Sequence, residues 1–179
     1  MKRAVFLLAA AALLLIAYQS VLALVRSHVD DRIEENHGAT LPPFTLTDTS
    51  GRTWSNDDVE GKALVLNFTR SHCRNCVKEK PAIRAFADEL DPNTVQLLSV
   101  MTDRVEGFSP KDTEATLAKA AFTHPVVMAD AAFVDALHGA GWAHVTPITY
   151  FVSPAGRIVS SLRGAQTLES LHAALASVR

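Results

Sequence analysis

Apolar positions along the chain follow three kinds of pattern. Residues 4–25 form one unbroken stretch without a charge, interrupted only by Tyr18, Gln19 and Ser20. Two short solid runs follow, residues 63–68 (ALVLNF) and 95–101 (VQLLSVM), whose length and β-rich content predict buried strands. Phe44-Thr45-Leu46-Thr47 alternates as a strand does, and Arg52-Thr53-Trp54 answers it across a Ser50-Gly51 turn, predicting a hairpin. Residues 146–159 predict a second hairpin around Pro154-Ala155-Gly156, and residues 125–128 a short extended run. Helical spacing appears after the 63–68 strand and at Leu117, Ala118 and Ala121 in residues 112–121. It recurs at Phe133, Ala136 and Leu137 in residues 129–139, and at Leu168, Leu171, Leu175 and Val178 in residues 167–178.

Punctuation supports these limits. Asn56-Asp57-Asp58 offers caps for a short helical turn before Gly61, Asp91-Pro92-Asn93 stops one helix, and residues 107–111 read as a loop. Asp130 is placed to cap the helix that Gly139 and Gly141 end. Leu41-Pro42-Pro43 marks a domain entrance, since neither proline suits a central strand. Alternating strands and helices from there onward predict an α/β layered domain over residues 41–179.

The stretch over residues 4–25 is long enough to cross a hydrocarbon core of roughly 30 Å at about 1.5 Å per residue. Its competitor is a cleaved signal peptide ending near Val21-Leu22-Ala23. The apolar stretch outruns the ~15 residues of a signal core, so residues 1–26 are read as an uncleaved anchor. Lys2 and Arg3 would stay on the cytoplasmic side. Residues 27–40, charged and poor in apolar side chains, read as a spacer, and the domain beyond lies on the extracytoplasmic, periplasmic side of the cell membrane. A net charge of −2 without a basic cluster implies no nucleic-acid partner.

Candidate chemistry sits at the end of the first buried strand. The chain has two cysteines, Cys73 and Cys76, in a CxxC that opens a helix. N–H groups at a helix start stabilise an anion, so Cys73 can be a thiolate near neutral pH, and cationic Arg74 is adjacent. Cys76, one turn on, can close a disulfide after Cys73 has attacked. A zinc site lacks the second ligand pair it would need, and a four-residue structural disulfide constrains little chain. Redox chemistry is the favoured reading. Glu79 lies on the same helix face as Cys76, about 5–6 Å away at Cβ. His72 either tunes Cys73 or is an exposed loop histidine; His124 and His138 are read as surface or structural residues.

Residues 66–81, LNFTRSHCRNCVKEKP, resemble the VNFWATWCxPCxxExP pattern of the TlpA/ResA-like branch of the thioredoxin superfamily, membrane-tethered thiol–disulfide proteins. Asn67, Glu79 and Pro81 match; His72 stands for the usual Trp and Asn75 for the usual Pro. The lead-in over residues 44–62 resembles the family's N-terminal hairpin, and Thr146-Pro147 its cis-proline motif. The resemblance implies a thioredoxin-like fold, a central mixed sheet flanked by helices with an N-terminal β-hairpin. It implies that Pro147 is cis and that the Thr146 backbone pairs with a substrate segment. It makes Glu79 a proton acceptor or tuner of the thiol pair, the alternative being a solvated helix glutamate. It also implies reduction of disulfides in specific exported proteins through a mixed disulfide, apocytochromes among them, with electrons from a membrane reductant. No metal and no cofactor beyond the Cys73–Cys76 pair are expected. A copper carrier of the Sco type is the alternative, but that family spaces its cysteines CxxxC, and its histidine falls close to His144 without coinciding. A thiol peroxidase is weaker still, because its PxxxTxxC signature is absent and Arg70 stands three before Cys73.

Overall fold

The computed structural model describes residues 2–138 and 145–178. The chain divides into two compact units, residues 1–35 and 36–179. The first unit is one helix, α1 (Lys2–Glu34), which carries the apolar stretch and continues into the segment expected as a spacer. Within it Leu8–Val25 has a mean hydropathy of 2.3, long and apolar enough to cross a membrane. Within this window Leu14 and Leu24 are 72% and 69% exposed.

The second unit is built on a five-stranded mixed sheet of order β5-β4-β3-β6-β7. Its centre is β3 (Ala63–Thr69), parallel to β4 (Val95–Met101), which is parallel to β5 (Val126–Met128). On the other side β3 pairs antiparallel with β6 (Ile148–Val152), and β6 with β7 (Ile158–Arg163). Every residue of β3 is buried, which explains the solid rather than alternating run, since a central strand has both faces covered. The expected lead-in hairpin is β1 (Thr45–Thr47) against β2 (Thr53–Ser55).

On one face, α2 (Arg74–Glu89) and α6 (Leu168–Ala176) close the main core, with Ile83, Phe86, Leu171 and Leu175 packed on Val65, Leu97 and Phe151. Pro81 sits inside α2 and lacks the N–H that would reach the Val77 carbonyl. Thr167 caps α6 through its hydroxyl, and Ser170 returns the bond to the Thr167 N–H. On the other face lies α5 (Ala131–His138), whose Phe133 stacks on Phe68 with ring centres 6.2 Å apart.

Several local expectations change. Residues 107–111 are only partly loop: α4 (Pro110–Ala120) begins at Pro110 with Ser109 as its cap. Ala121 is not on the apolar face of α4; it takes a left-handed conformation (φ 46°) that ends the helix, and Ala120 is buried instead. In α5, Ala136 is exposed and Val134 takes its place in the core. Asp130 does cap α5, accepting the Phe133 N–H at 2.8 Å. Asn56 does not cap the helical turn at Asp57–Val59; its Oδ1 accepts the Phe44 N–H at 2.7 Å. A short helix, α3 (Asp103–Glu106), was not expected. Gly139, Gly141 and His144 lie outside the described residues. Residues 38–41 pair with residues 156–158 at the start of β7, with the Gly38 N–H on Ile158 O at 2.7 Å and the Leu41 N–H on Gly156 O at 2.8 Å.

Candidate active site

β3 ends at Thr69, and residues 70–73 turn the chain into α2. The turn is held from beneath by Asp103, at the start of α3 and fully buried. One Asp103 oxygen accepts the Ser71 N–H at 2.7 Å, and the other accepts the Ser71 hydroxyl at 2.6 Å and the Thr113 hydroxyl at 2.7 Å. Above this clamp His72 takes a left-handed conformation, φ 54°, uncommon for a side chain with a Cβ.

Cys73 and Cys76 form a disulfide, S–S 2.05 Å. Cys73 is the N-cap of α2, its Sγ accepting the Cys76 N–H at 3.0 Å. Sulfur therefore occupies the place at a helix start where orphan N–H groups and the helix dipole favour negative charge. Exposure does not separate the two cysteines, 6% for Cys73 and 4% for Cys76. Position does. Cys73 faces Thr146, with Sγ 3.6 Å from its carbonyl oxygen and accepting its hydroxyl at 3.5 Å. Cys76 lies on the buried side of α2 with Glu79, Ile83 and Phe86. The Thr146–Pro147 peptide bond is cis.

Glu79 is no solvated helix glutamate. It is 2% exposed, accepting from Asn67 Nδ2 at 3.0 Å and from the Gln166 N–H at 3.2 Å. Burial pushes its carboxyl up to about 7, against the two hydrogen bonds, which pull it down. A carboxyl poised there exchanges a proton near neutral pH, one turn from Cys76.

The two residues expected to tune the pair sit at its rim. His72 is exposed and bonds Asp112 at 3.0 Å. Arg74 is exposed and has no hydrogen bond or ion pair among the described residues. Among the described residues, Arg70 is the cation linked by hydrogen bonds to the disulfide, through Thr146. A groove of about 270 Å³ runs past both cysteines, and Val77, Lys80 and Lys119 also line it. Burial and Lys119 both push the Lys80 ammonium below its usual range. Asp103 and Gln166 were invisible to local pattern, because each joins the site across a long stretch of chain. Among the described residues no three His, Cys, Asp or Glu side chains gather as a metal site; His144, the candidate copper ligand, lies outside them.

The sequence profile of the AhpC/TSA family matches residues 37–161. The chain is 29% identical over 174 residues to the thiol-disulfide oxidoreductase ResA of Oceanobacillus iheyensis, covering 95% of this chain and 87% of that protein. Among solved structures, StoA from Bacillus subtilis superposes with a TM-score of 0.60 at 24% identity, covering 74% of this chain and 96% of StoA. The thioredoxin domain of a thiol-disulfide oxidoreductase from Bacteroides vulgatus gives 0.63 at 22%, covering 76% and 96%. These likenesses show the thioredoxin-like fold.

Proposed function

We infer that this chain, which belongs to the AhpC/TSA family, is a thiol–disulfide oxidoreductase of the ResA type that reduces disulfides of exported proteins. The observation that carries this reading is the Cys73–Cys76 disulfide at the start of α2, with Thr146-Pro147 beside it and the buried carboxyl of Glu79 one turn below. Likeness to ResA supports it.

In the reduced pair, the Cys73 thiolate attacks one sulfur of the partner's disulfide. A mixed disulfide forms and the partner's other sulfur leaves as a thiolate. Cys76 then gives up its proton, for which Glu79 is the acceptor, and attacks Cys73 Sγ. The second partner sulfur leaves, two electrons have passed to the partner, and the enzyme pair is oxidised. Thr146 offers its backbone to the partner segment and Pro147 shapes that edge, while Arg74 and His72 set the charge at the rim. A membrane reductant restores the dithiol. Residues 1–26 tether the enzyme as a single-pass anchor, residues 27–40 follow, and residues 41–179 work on the extracytoplasmic side. Apocytochromes are one substrate class that suits such a reductase.

The test replaces Cys76 with Ser in the full chain. Cys73 should then hold a partner in a mixed disulfide that dithiothreitol releases, and the Cys73→Ser chain should hold none. Equal trapping by both variants overturns the order of attack. A wild-type pair that is mostly oxidised in cells, with a potential near the roughly −120 mV of a strong oxidant, reverses the direction.

A further inference from the structure

We propose that Arg70 is a positioning residue for Cys73, acting through the hydroxyl of Thr146. Arg70 follows directly on β3, and its Nε–H donates to Thr146 Oγ1 at 3.1 Å. That hydroxyl donates in turn to Cys73 Sγ at 3.5 Å. A hydroxyl has one hydrogen and two lone pairs. With a guanidinium N–H on one lone pair, its hydrogen turns away from the arginine, and the sulfur is the acceptor it meets.

The guanidinium is itself held. Glu106 Oε2 lies 3.4 Å from Nε, and the other Glu106 oxygen is fixed by the Thr102 hydroxyl at 2.6 Å. Nη1 reaches the Ser71 carbonyl at 3.4 Å, and the Phe108 ring lies 5.6 Å from Cζ. A chain of contacts, Glu106–Arg70–Thr146–Cys73, thus joins α3 to the sulfur.

Its consequence depends on redox state. A disulfide sulfur is a weak acceptor, whereas a thiolate is a charged one, and charge-assisted hydrogen bonds are roughly twice as strong as neutral ones. The relay therefore favours reduced, ionised Cys73 over the disulfide. On Cys73's own segment the cations Arg74 and Lys80 and the imidazole of His72 also lie near it, with Glu79 on the buried side. From α4, Asp112 and Lys119 face the same groove. His72 and Asp112 pair with each other, and among the described residues Arg70 is the cation that hydrogen-bonds the Thr146 hydroxyl, so the coupling through that hydroxyl is assigned to Arg70.

The experiment is a mutant cycle on the full chain in detergent, combining Arg70→Ala with Thr146→Val and with Thr146→Ser. Two quantities are read: the pH midpoint of Cys73 alkylation, followed by peptide mass, and the equilibrium with a glutathione redox buffer. Arg70→Ala should raise the midpoint by roughly one unit and shift the equilibrium about tenfold toward the disulfide, which for two electrons is about 30 mV. In the Thr146→Val background the further shift should be less than twofold, and in the Thr146→Ser background it should keep its full size. A full Arg70 effect without the hydroxyl overturns the relay and leaves a through-space charge. So does no effect in either readout, since a merely structural arginine moves the melting temperature and not the midpoint. If Thr146→Val does not fold, Thr146→Ala serves the same comparison. The proposal rests on Cys73 as the attacking thiol: slower alkylation of Cys73 than Cys76 refutes that reading, whereas normal order without an Arg70 effect refutes the relay alone.

Discussion

The Asn67 side-chain amide donates to the Glu79 carboxylate and to the Thr149 hydroxyl, each at 3.0 Å. One nitrogen thereby ties β3 to β6 on one side and to α2 on the other, directly below the disulfide. Both of its hydrogens are spent inside the protein, so the carboxyl is held in place while it remains free to change protonation.

Glu79 should give folding stability a pH dependence of known sign. Its folded value, about 7, lies above the 4.5 of an ordinary glutamate. The native state therefore keeps a proton that the unfolded chain releases. That stabilisation is complete below about pH 4.5 and is lost as pH rises through 7, a difference on the order of 3 kcal/mol. Chemical denaturation across this range should show the decline in the wild type, and Glu79→Gln should flatten it. An unchanged decline in the glutamine variant assigns the titration to another group.

Replacing Asn67 with Ala removes one of the two hydrogen bonds that favour ionised Glu79. The carboxyl should then titrate above the wild-type value, because burial remains and its opposition is weakened. Isotope-edited infrared spectra of the Glu79 carboxyl stretch against pH measure this, and a downward shift would contradict the assignment.

Asp103→Ala should destabilise the domain by roughly 1–3 kcal/mol, since it leaves the buried Ser71 N–H without its acceptor and turns the Ser71 and Thr113 hydroxyls to their other acceptors, the Asp112 and Ser109 carbonyls. Asp103→Asn should cost less, one acceptor oxygen being retained. Urea unfolding midpoints of the three proteins give the order, and a cost below 1 kcal/mol for alanine would show that the turn over residues 70–73 is held by other contacts.

The apolar helix yields a fourth prediction. If residues 1–26 remain as an anchor, the purified protein should begin at or next to Met1 and leave membranes only with detergent, not with alkaline carbonate. An intact-mass measurement showing a chain that begins after Ala23 would establish a cleaved signal instead.

The central strands were legible because burial on both faces writes itself as a solid apolar run, as in residues 63–68 and 95–101. The C-terminal helix was legible because Leu171, Leu175 and Val178 all enter the core. Pattern misled where alanine was the marker: Ala121 and Ala136 fit a face by spacing, yet alanine buries too little to fix which side turns inward. The cysteines, Glu79 and Thr146-Pro147 were readable from local motifs. Arg70 was noticed only as a residue that did not suit a peroxidase. Its bond to Thr146 spans 76 positions and Asp103's to Ser71 spans 32, separations that no periodicity encodes.

The strap over residues 38–41 and the β1–β2 hairpin have a consequence for how this protein meets others. The strap is hydrogen-bonded to the outer side of β7 near its start, with Thr40 bridged to Arg157. At the opposite end of the sheet Asp48 bridges Val127, and the Thr49 N–H donates to Val126 O at 3.0 Å, alongside the three-residue β5. Open strand edges invite pairing with foreign strands and, through it, aggregation. Here β5 is covered by the hairpin segment, and β7 is covered at its first residue, Ile158, by the strap. Crowded neighbours at high local concentration are thus denied a template along β5 and at the start of β7.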